Sequence, residues 1–161
     1  MQTWPRSMEQ LPPMTDYNIR NGRTYRYFKG EPLYPFGYGL SYTFFAYSGF
    51  KIPITAISAN KDLICSIDIQ NTGKIAGDEV VQLYTRHVHS TVERPEKELT
   101  AFQRVSLQPK EKKTVWLKVK VSDLQYWDEN LHRFVLEKDT IKPMVGSFSA
   151  DIKFQETVEV K

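Results

Sequence analysis

The sequence has little of what several common protein classes require. Cys65 is the single cysteine among 161 residues, which excludes an internal disulfide framework. No run of 18 apolar residues occurs, so the sequence offers no candidate membrane-spanning helix. The charges are nearly balanced, with 22 Lys and Arg against 19 Asp and Glu, an excess too small to favour nucleic acid as a partner.

Targeting and nucleotide-binding signals are also missing. The first residues, MQTWPRSMEQLPP, lack the basic region and apolar run of a secretory signal peptide. We therefore expect either a cytosolic protein or a fragment of a protein whose leader lies elsewhere. There is no phosphate-binding loop and no dinucleotide fingerprint, which argues against a nucleotide-dependent enzyme.

Aromatic residues, in contrast, are abundant at 13%, and they are dense in residues 32–42, PLYPFGYGLSY. Prolines restrict the backbone and glycines widen its range, while this many aromatics would not suit a loose linker. We interpret the stretch, called here the clamp loop, as an ordered loop that holds the preceding segment against another surface. A loop whose aromatics merely cover the end of the next domain is the alternative.

The clamp loop divides the chain into two regions. Residues 1–43 form an N-terminal arm and linker, interrupted by Pro5, Pro12 and Pro13 and without an amphipathic period. The β-forming residues TYRYF predict a short strand over 24–28. The aromatics of the arm indicate the tail of a neighbouring domain, with a disordered tail as the alternative.

Residues 44–161 alternate apolar and polar side chains in short segments, which is typical of β-strands. Leu99 and Phe102 cannot share a face of one regular strand, so we expect a bulge between them. The last two strands are predicted over 142–148 and 152–160. The residues predicted to share a face are Leu63, Cys65, Ile67 and Ile69 in one strand and Val81, Leu83 and Thr85 in the next. In a further strand Val115, Leu117, Val119 and Val121 are predicted to face inward.

The spacing of these segments predicts an all-β fold. About seven strands separated by turns at roughly ten-residue intervals indicate an immunoglobulin-like sandwich of two sheets. The Cys–Trp–Cys signature of antibody domains is absent, which favours a fibronectin type III-like version.

Some side chains have the types and spacing that chemistry could use. His87 and His89 would share a face of a strand and Glu93 follows, but no third metal ligand is defined, and solvated loop histidines are the simpler interpretation. Ser41 lacks the G-x-S-x-G context of a nucleophile. Cys65 lies in line with apolar neighbours and is interpreted as a small buried side chain.

Glu93, Glu96 and Glu98 could supply paired carboxylates for acid–base catalysis. Their neighbours Arg94 and Lys97 favour surface ion pairs instead.

One predicted outer face combines aromatic and basic groups. Trp116, Lys118 and Lys120 would lie together on it, as a solvated face, an interface with another domain, or a platform for a ligand.

Several segments resemble one enzyme family. The C-terminal part of glycoside hydrolase family 3, which includes β-glucosidases and β-xylosidases, resembles nearly the whole chain in order. The arm segments WPRSMEQLP (4–12) and DYNIRNGRTYRYF (16–28) resemble the end of the family's α/β-sandwich domain. The other matching segments are EPLYPFGYGLSYT (31–43), IQNTGKIAGDEVVQLYTR (69–86), RPEKELTAFQRVSLQPKEKKTV (94–115), DLQYWDEN (123–130) and PMVGSFSADI (143–152).

The resemblance implies that catalysis lies elsewhere. Family members hydrolyse β-glycosides with retention and without a cofactor, using a carboxylate nucleophile and a carboxylic acid. Both groups belong to domains upstream of everything matched, so no residue of this chain inherits a catalytic or metal-binding role. The resemblance implies residues 1–43 as the tail and linker of the preceding domain, and residues 44–161 as an accessory fibronectin type III-like domain.

The implied partners are the barrel and the α/β-sandwich domain of a parent enzyme, which we expect to be periplasmic or secreted in a bacterium. Self-association of the isolated chain is a further expectation, whereas nucleic acid and membrane are not expected partners. The expected interdomain contacts are Arg26, Tyr34, Phe36, Tyr38 and Tyr42.

Two other functions remain open from the sequence. The first is a carbohydrate-binding module that stacks sugars on Trp116, Trp127 or the loop aromatics. The second is an adhesion or interaction domain of independent origin.

Overall fold

The computed structural model of the chain describes residues 3–59 and 61–161. Within these ranges the helical segments are three short 3₁₀ turns, Met8–Gln10, Ile19–Asn21 and Val121–Leu124, none of which could cross a membrane. The strands in chain order are β1 Trp4–Pro5, β2 Pro32–Tyr34, β3 Phe45–Lys51, β4 Ala56–Ile57, β5 Leu63–Asn71, β6 Gly77–His87, β7 Glu98–Leu107, β8 Lys112–Val119, β9 Tyr126–Asp128, β10 Arg133–Val135, β11 Asp139–Phe148, β12 Asp151–Gln155 and β13 Val158–Val160.

Two sheets form the sandwich that the sequence predicts. One has the order β3-β5-β8, and the other has the order β4-β13-β11-β6-β7 with β12 paired to β11. All pairs in them are antiparallel except β13 with β4. Two small ribbons, β1-β2 in the arm and β9-β10, lie outside the two sheets.

The core lies between the two sheets and follows the predicted alternation. Inward side chains of β5 and β8, such as Ile67 and Leu117, are buried at 0% and 2% exposure. In β6, Val81, Leu83 and Thr85 are buried on one face, and Gln82 and Tyr84 are buried on the opposite face as well. That second face is covered, because the arm packs against it.

The predicted bulge in β7 is confirmed. Ala101 pairs with Leu83 and Leu99 pairs with Tyr84, which leaves Thr100 as the extra residue. The hydroxyl of Thr100 donates a hydrogen bond to the carbonyl of Leu83. Because of the extra residue, Leu99 and Phe102 lie on the same face of β7.

The strand predicted over 24–28 is wrong. These residues form a turn in which the amides of Tyr27 and Phe28 both donate to the carbonyl of Thr24, at 2.9 and 2.7 Å. Local hydrogen bonds therefore use the groups that a strand would offer to a neighbour. β-forming composition alone does not supply a partner strand.

Two other predicted strands have different limits. The strand expected to reach Val121 ends at Val119, and Val121 lies buried in the following 3₁₀ turn. The segment over 152–160 is split into β12 and β13. The break lies opposite Pro143 of β11, whose carbonyl accepts from the Glu156 amide. Proline cannot donate to a ladder, so pairing is interrupted there.

Candidate interdomain interface

Tyr25 joins the arm to the outer face of the six-stranded sheet. Its ring stacks on Phe36 of the clamp loop, with ring centroids 4.1 Å apart, and meets Tyr84 of β6 edge-on at 6.1 Å. Its hydroxyl accepts a hydrogen bond from the Leu99 amide at 2.8 Å, beside the β7 bulge. One side chain thus contacts the clamp loop and two strands.

The clamp loop approaches the sheet most closely at Gly37. Gly37 has φ +85°, and a Cβ there would lie 2.6 Å from the Gln82 Oε1. Gln82 is itself held, because it donates to the Ser147 carbonyl at 2.6 Å and accepts from the Tyr84 hydroxyl at 2.5 Å. Only glycine satisfies both the backbone angle and the space.

Ion pairs border the same contact. Arg26 pairs with Glu98, and its carbonyl accepts the Glu96 amide at 2.8 Å. Glu96 also lies 3.4 Å from Arg86, and Glu93 lies 3.6 Å from Arg20. The three glutamates are therefore ion-paired as predicted, but with arginines of the arm and of β6. Their side chains are partly exposed, so each pair contributes little stability by itself.

The basic neighbours predicted as partners of these glutamates have other contacts. The side chain of Arg94 is only 11% exposed, and its Nη2 lies 3.7 Å from Glu137 Oε2. Its guanidinium also lies 4.9 Å from the centroid of the Tyr126 ring. Lys97 donates to the carbonyl of Ser149. Arg94 thereby holds the β9-β10 ribbon against residues 88–97.

The predicted contact residues divide into two groups. Arg26 pairs with Glu98 of the sandwich, while Phe36 stacks on Tyr25 and its carbonyl accepts the Ser149 amide at 3.0 Å. Tyr38 meets Phe148 edge-on at 5.4 Å and Tyr34 at the same distance, yet Tyr34 and Tyr38 remain 47% and 40% exposed. Tyr42 is 95% exposed. Part of the clamp loop thus contacts the sandwich, and part of it is exposed. Its assignment as an interdomain contact stays a prediction.

The interpretation of His87 as a solvated loop histidine is wrong. Its side chain is 10% exposed at the end of β6, and its Nδ1 lies 2.8 Å from Asp139 Oδ2. Burial first, and then the charge of Arg94, lower the pKa of His87. Asp139 also accepts the amide of His89 at 2.8 Å. The pair anchors the loop after β6. Among the described residues, no three His, Cys, Asp or Glu side chains lie close enough together to bind one metal ion.

Trp116 and Trp127 do not form one platform. Trp116 lies on β8 and is 62% exposed, beside Lys118, which pairs with Asp62 at 2.6 Å. Trp127 lies in the separate β9-β10 ribbon, 50% exposed and edge-on to Phe134 at 5.3 Å. A sugar could stack on either ring separately.

Cys65 and Ser41 have structural surroundings. Cys65 is fully buried, and burial raises the pKa of its thiol to about 12, which matches its interpretation as a core residue. Ser41 lies in an exposed loop, where its hydroxyl accepts the Thr43 amide at 3.3 Å.

Sequence reasoning missed Tyr25, Gln82, Tyr84 and the Tyr47–Glu79 pair. Tyr47 of β3 donates to Glu79 of β6 at 2.5 Å, and this hydrogen bond joins the two sheets. Tyr84 carries no local signal that its face is covered, because Trp116 is a comparable aromatic on an outer face and is 62% exposed. The partners of Tyr25 and Tyr47 carry no local signal either.

Comparison with known proteins identifies the class. A fibronectin type III-like domain model matches residues 79–149. The chain is 42% identical over 84% of its length to the thermostable β-glucosidase B of Acetivibrio thermocellus, and 38% identical over 91% to a β-xylosidase of Formosa agariphila. The crystal structure of a family 3 β-glucosidase from Bifidobacterium adolescentis superposes with a TM-score of 0.88, at 27% identity, over 99% of this chain and 25% of that one.

The fold and these similarities define a fibronectin type III-like β-sandwich of carbohydrate-hydrolysing enzymes. The chain belongs to glycoside hydrolase family 3, as the part that carries this domain. It spans only about a fifth of the length of the two curated relatives, 18% and 21%.

Proposed function

We propose that this chain is the non-catalytic accessory domain of a β-glycosidase, which it stabilises by packing against the catalytic part. The parent enzyme would hydrolyse O-glycosidic bonds in β-glucosides or β-xylosides. The observation that carries the proposal is the arm. Tyr25, Phe36 and Gly37 hold it against the sandwich, while exposed apolar side chains follow directly in the chain.

The distribution of carboxylates supports a non-catalytic role. The glutamates closest together in sequence are ion-paired with arginines. Glu137 accepts from Ser90 and Thr91 and lies 3.7 Å from Arg94. Retaining hydrolysis needs a free nucleophile and an acid on either side of a sugar site. The glutamates named here are not free, because they pair with arginines or accept hydrogen bonds from loop residues.

A chimeric enzyme tests the proposal. The chain replaces the matching segment of the Acetivibrio thermocellus β-glucosidase B, and a second protein lacks that segment. We expect the chimera to melt at a higher temperature than the truncated enzyme, and the isolated chain to leave aryl β-glucosides and aryl β-xylosides intact. Equal melting temperatures, or hydrolysis by the isolated chain, would overturn the proposal.

Carbohydrate binding is the competing function, favoured by the exposed rings of Trp127 and Phe134. Titration of the isolated chain with xylan and cello-oligosaccharides, followed by tryptophan fluorescence, separates the two. The accessory function predicts no saturable change. Saturable quenching that Trp127→Ala abolishes would support the carbohydrate-binding function.

A further inference from the structure

Three large apolar side chains just before β3 are exposed, Leu40 and Tyr42 at the end of the clamp loop and Phe44 next to β3, and they are called here the exposed triplet. Their exposed fractions are 90%, 95% and 77%. Such a group of exposed large apolar side chains marks an interaction site, because contact of apolar surface with water is unfavourable and a partner that covers it lowers the free energy.

Thr43, between them, is buried at 5% exposure and fixes the backbone of the segment. Its hydroxyl donates to Asn71 Oδ1 at 2.6 Å, and Asn71 in turn donates to the carbonyls of Ile75 and Leu107. A Cβ on Gly73 would overlap the Thr43 hydroxyl, so the turn after β5 leaves room for this contact.

The carbonyl of Phe44 is held as well. It accepts the Thr72 amide at 2.8 Å, so the turn after β5 contacts two successive residues of the linker. The triplet is thus presented by a fixed backbone, and its ordering does not have to be repeated when a partner binds.

An open cleft of about 390 Å³ lies next to the triplet. Leu40 and Phe44 line one side of it, and Tyr47, Glu79 and Phe148 line other parts. Asp78, Asp151 and Lys153 line the cleft as well, so a partner that covers the triplet and enters the cleft meets both apolar and charged side chains.

We infer that the exposed triplet is the main docking point for the catalytic part of the parent polypeptide, which would cover it with an apolar surface. This inference rests on the proposed function. Two observations favour that occupant. The chain spans only 18% and 21% of its relatives, so most of the polypeptide lies outside it. The triplet is also continuous with the arm–sandwich contact through the clamp loop.

Thiol labelling tests the inference. Tyr42→Cys and the control Phe102→Cys are placed in the isolated chain and in the chimera, and the rate of alkylation is read from the mass of each peptide. Phe102 is the control because it is 68% exposed on β7 and does not line the cleft next to the triplet, and Cys65 is buried. We expect Tyr42→Cys to react at least tenfold more slowly in the chimera, and Phe102→Cys to react equally in both.

The outcomes separate this inference from the proposed function. A stabilised chimera in which Tyr42→Cys reacts as fast as in the isolated chain overturns the docking point and leaves the accessory function standing. Labelling of Tyr42→Cys in the chimera that slows only as the concentration of the chimera rises assigns the triplet to a second copy and overturns the inference. If the chimera does not fold, the isolated chain is labelled with excess truncated enzyme, and unchanged rates overturn it.

Discussion

The hydroxyl of Tyr25 accepts a hydrogen bond from the amide of Leu99, although 74 residues separate them. Leu99 lies beside the bulge of β7, an edge strand of the six-stranded sheet. Edge strands have backbone groups without a partner strand, and these need another partner or water. The arm therefore satisfies a group that the sandwich leaves open.

Removing that hydroxyl should loosen the arm. We expect Tyr25→Phe to lower the free energy of unfolding by about 1 kcal/mol, because the Leu99 amide loses its acceptor. Hydrogen exchange of the Leu99 amide should accelerate in parallel. Tyr17→Phe is the control, since Tyr17 is 86% exposed, and unchanged exchange at Leu99 would contradict the prediction.

Gly37 should tolerate no side chain. We expect Gly37→Ala to cost more than about 1 kcal/mol in denaturant unfolding, because it combines positive φ with overlap on Gln82. Gly39→Ala is the matched control, since no heavy atom lies within 4 Å of a Cβ there. Equal effects at the two glycines would mean that the clamp loop does not contact β6 in solution.

Leu117 and Trp116 are neighbours on β8 with opposite environments, at 2% and 62% exposure. Leu117→Ala should cost about 2–5 kcal/mol of unfolding free energy, through lost transfer energy and a cavity. Trp116→Ala should change it by less than about 0.5 kcal/mol, as exposed substitutions usually do. A loss below about 1 kcal/mol for Leu117→Ala would contradict its placement in the core.

Glu79 should make stability depend on pH. Burial raises the pKa of Glu79 above its ordinary value of 4.5, with Asp151 adding to the rise and Tyr47 and Lys153 opposing it. The folded state thus favours the protonated carboxyl, so this stabilisation is present at low pH and is lost as pH rises from 4.5 through the folded pKa.

Glu79→Gln removes the titration but keeps an acceptor for the Tyr47 hydroxyl. We expect the variant to gain stability relative to the wild-type chain as pH rises above 4.5, measured by urea unfolding across a pH series. Glu156→Gln, at an exposed position, is the charge-matched control. A difference between Glu79→Gln and the wild type that stays constant with pH would rule out the raised pKa.

Much of the fold could be predicted because alternation records which face of a strand is apolar. The buried faces of β5 and β8 follow from it, and so does the β7 bulge, since Leu99 and Phe102 break the parity. Residues 24–28 show its limit, because propensity does not reveal whether a neighbouring strand exists.

The candidate interface could be predicted only in part. The aromatics of residues 32–42 stood out by composition, but the stacking of Phe36 on Tyr25 and the exposure of Tyr42 could not be predicted from the sequence. His87 is the clearest case. Its local surroundings are polar, and only the return of β11 beside β6 places Asp139 against it and buries both side chains.

Local periodicity was enough to predict the two-sheet sandwich and the core faces of β5 and β8, because it records which side of each strand is apolar. The contacts of Tyr25 with Leu99, of Tyr47 with Glu79, and of Thr43 with Asn71 appear only in the tertiary structure. Such contacts join residues 28 to 74 positions apart. They depend on which strands and loops lie side by side in the fold, and no local pattern in the sequence records that arrangement.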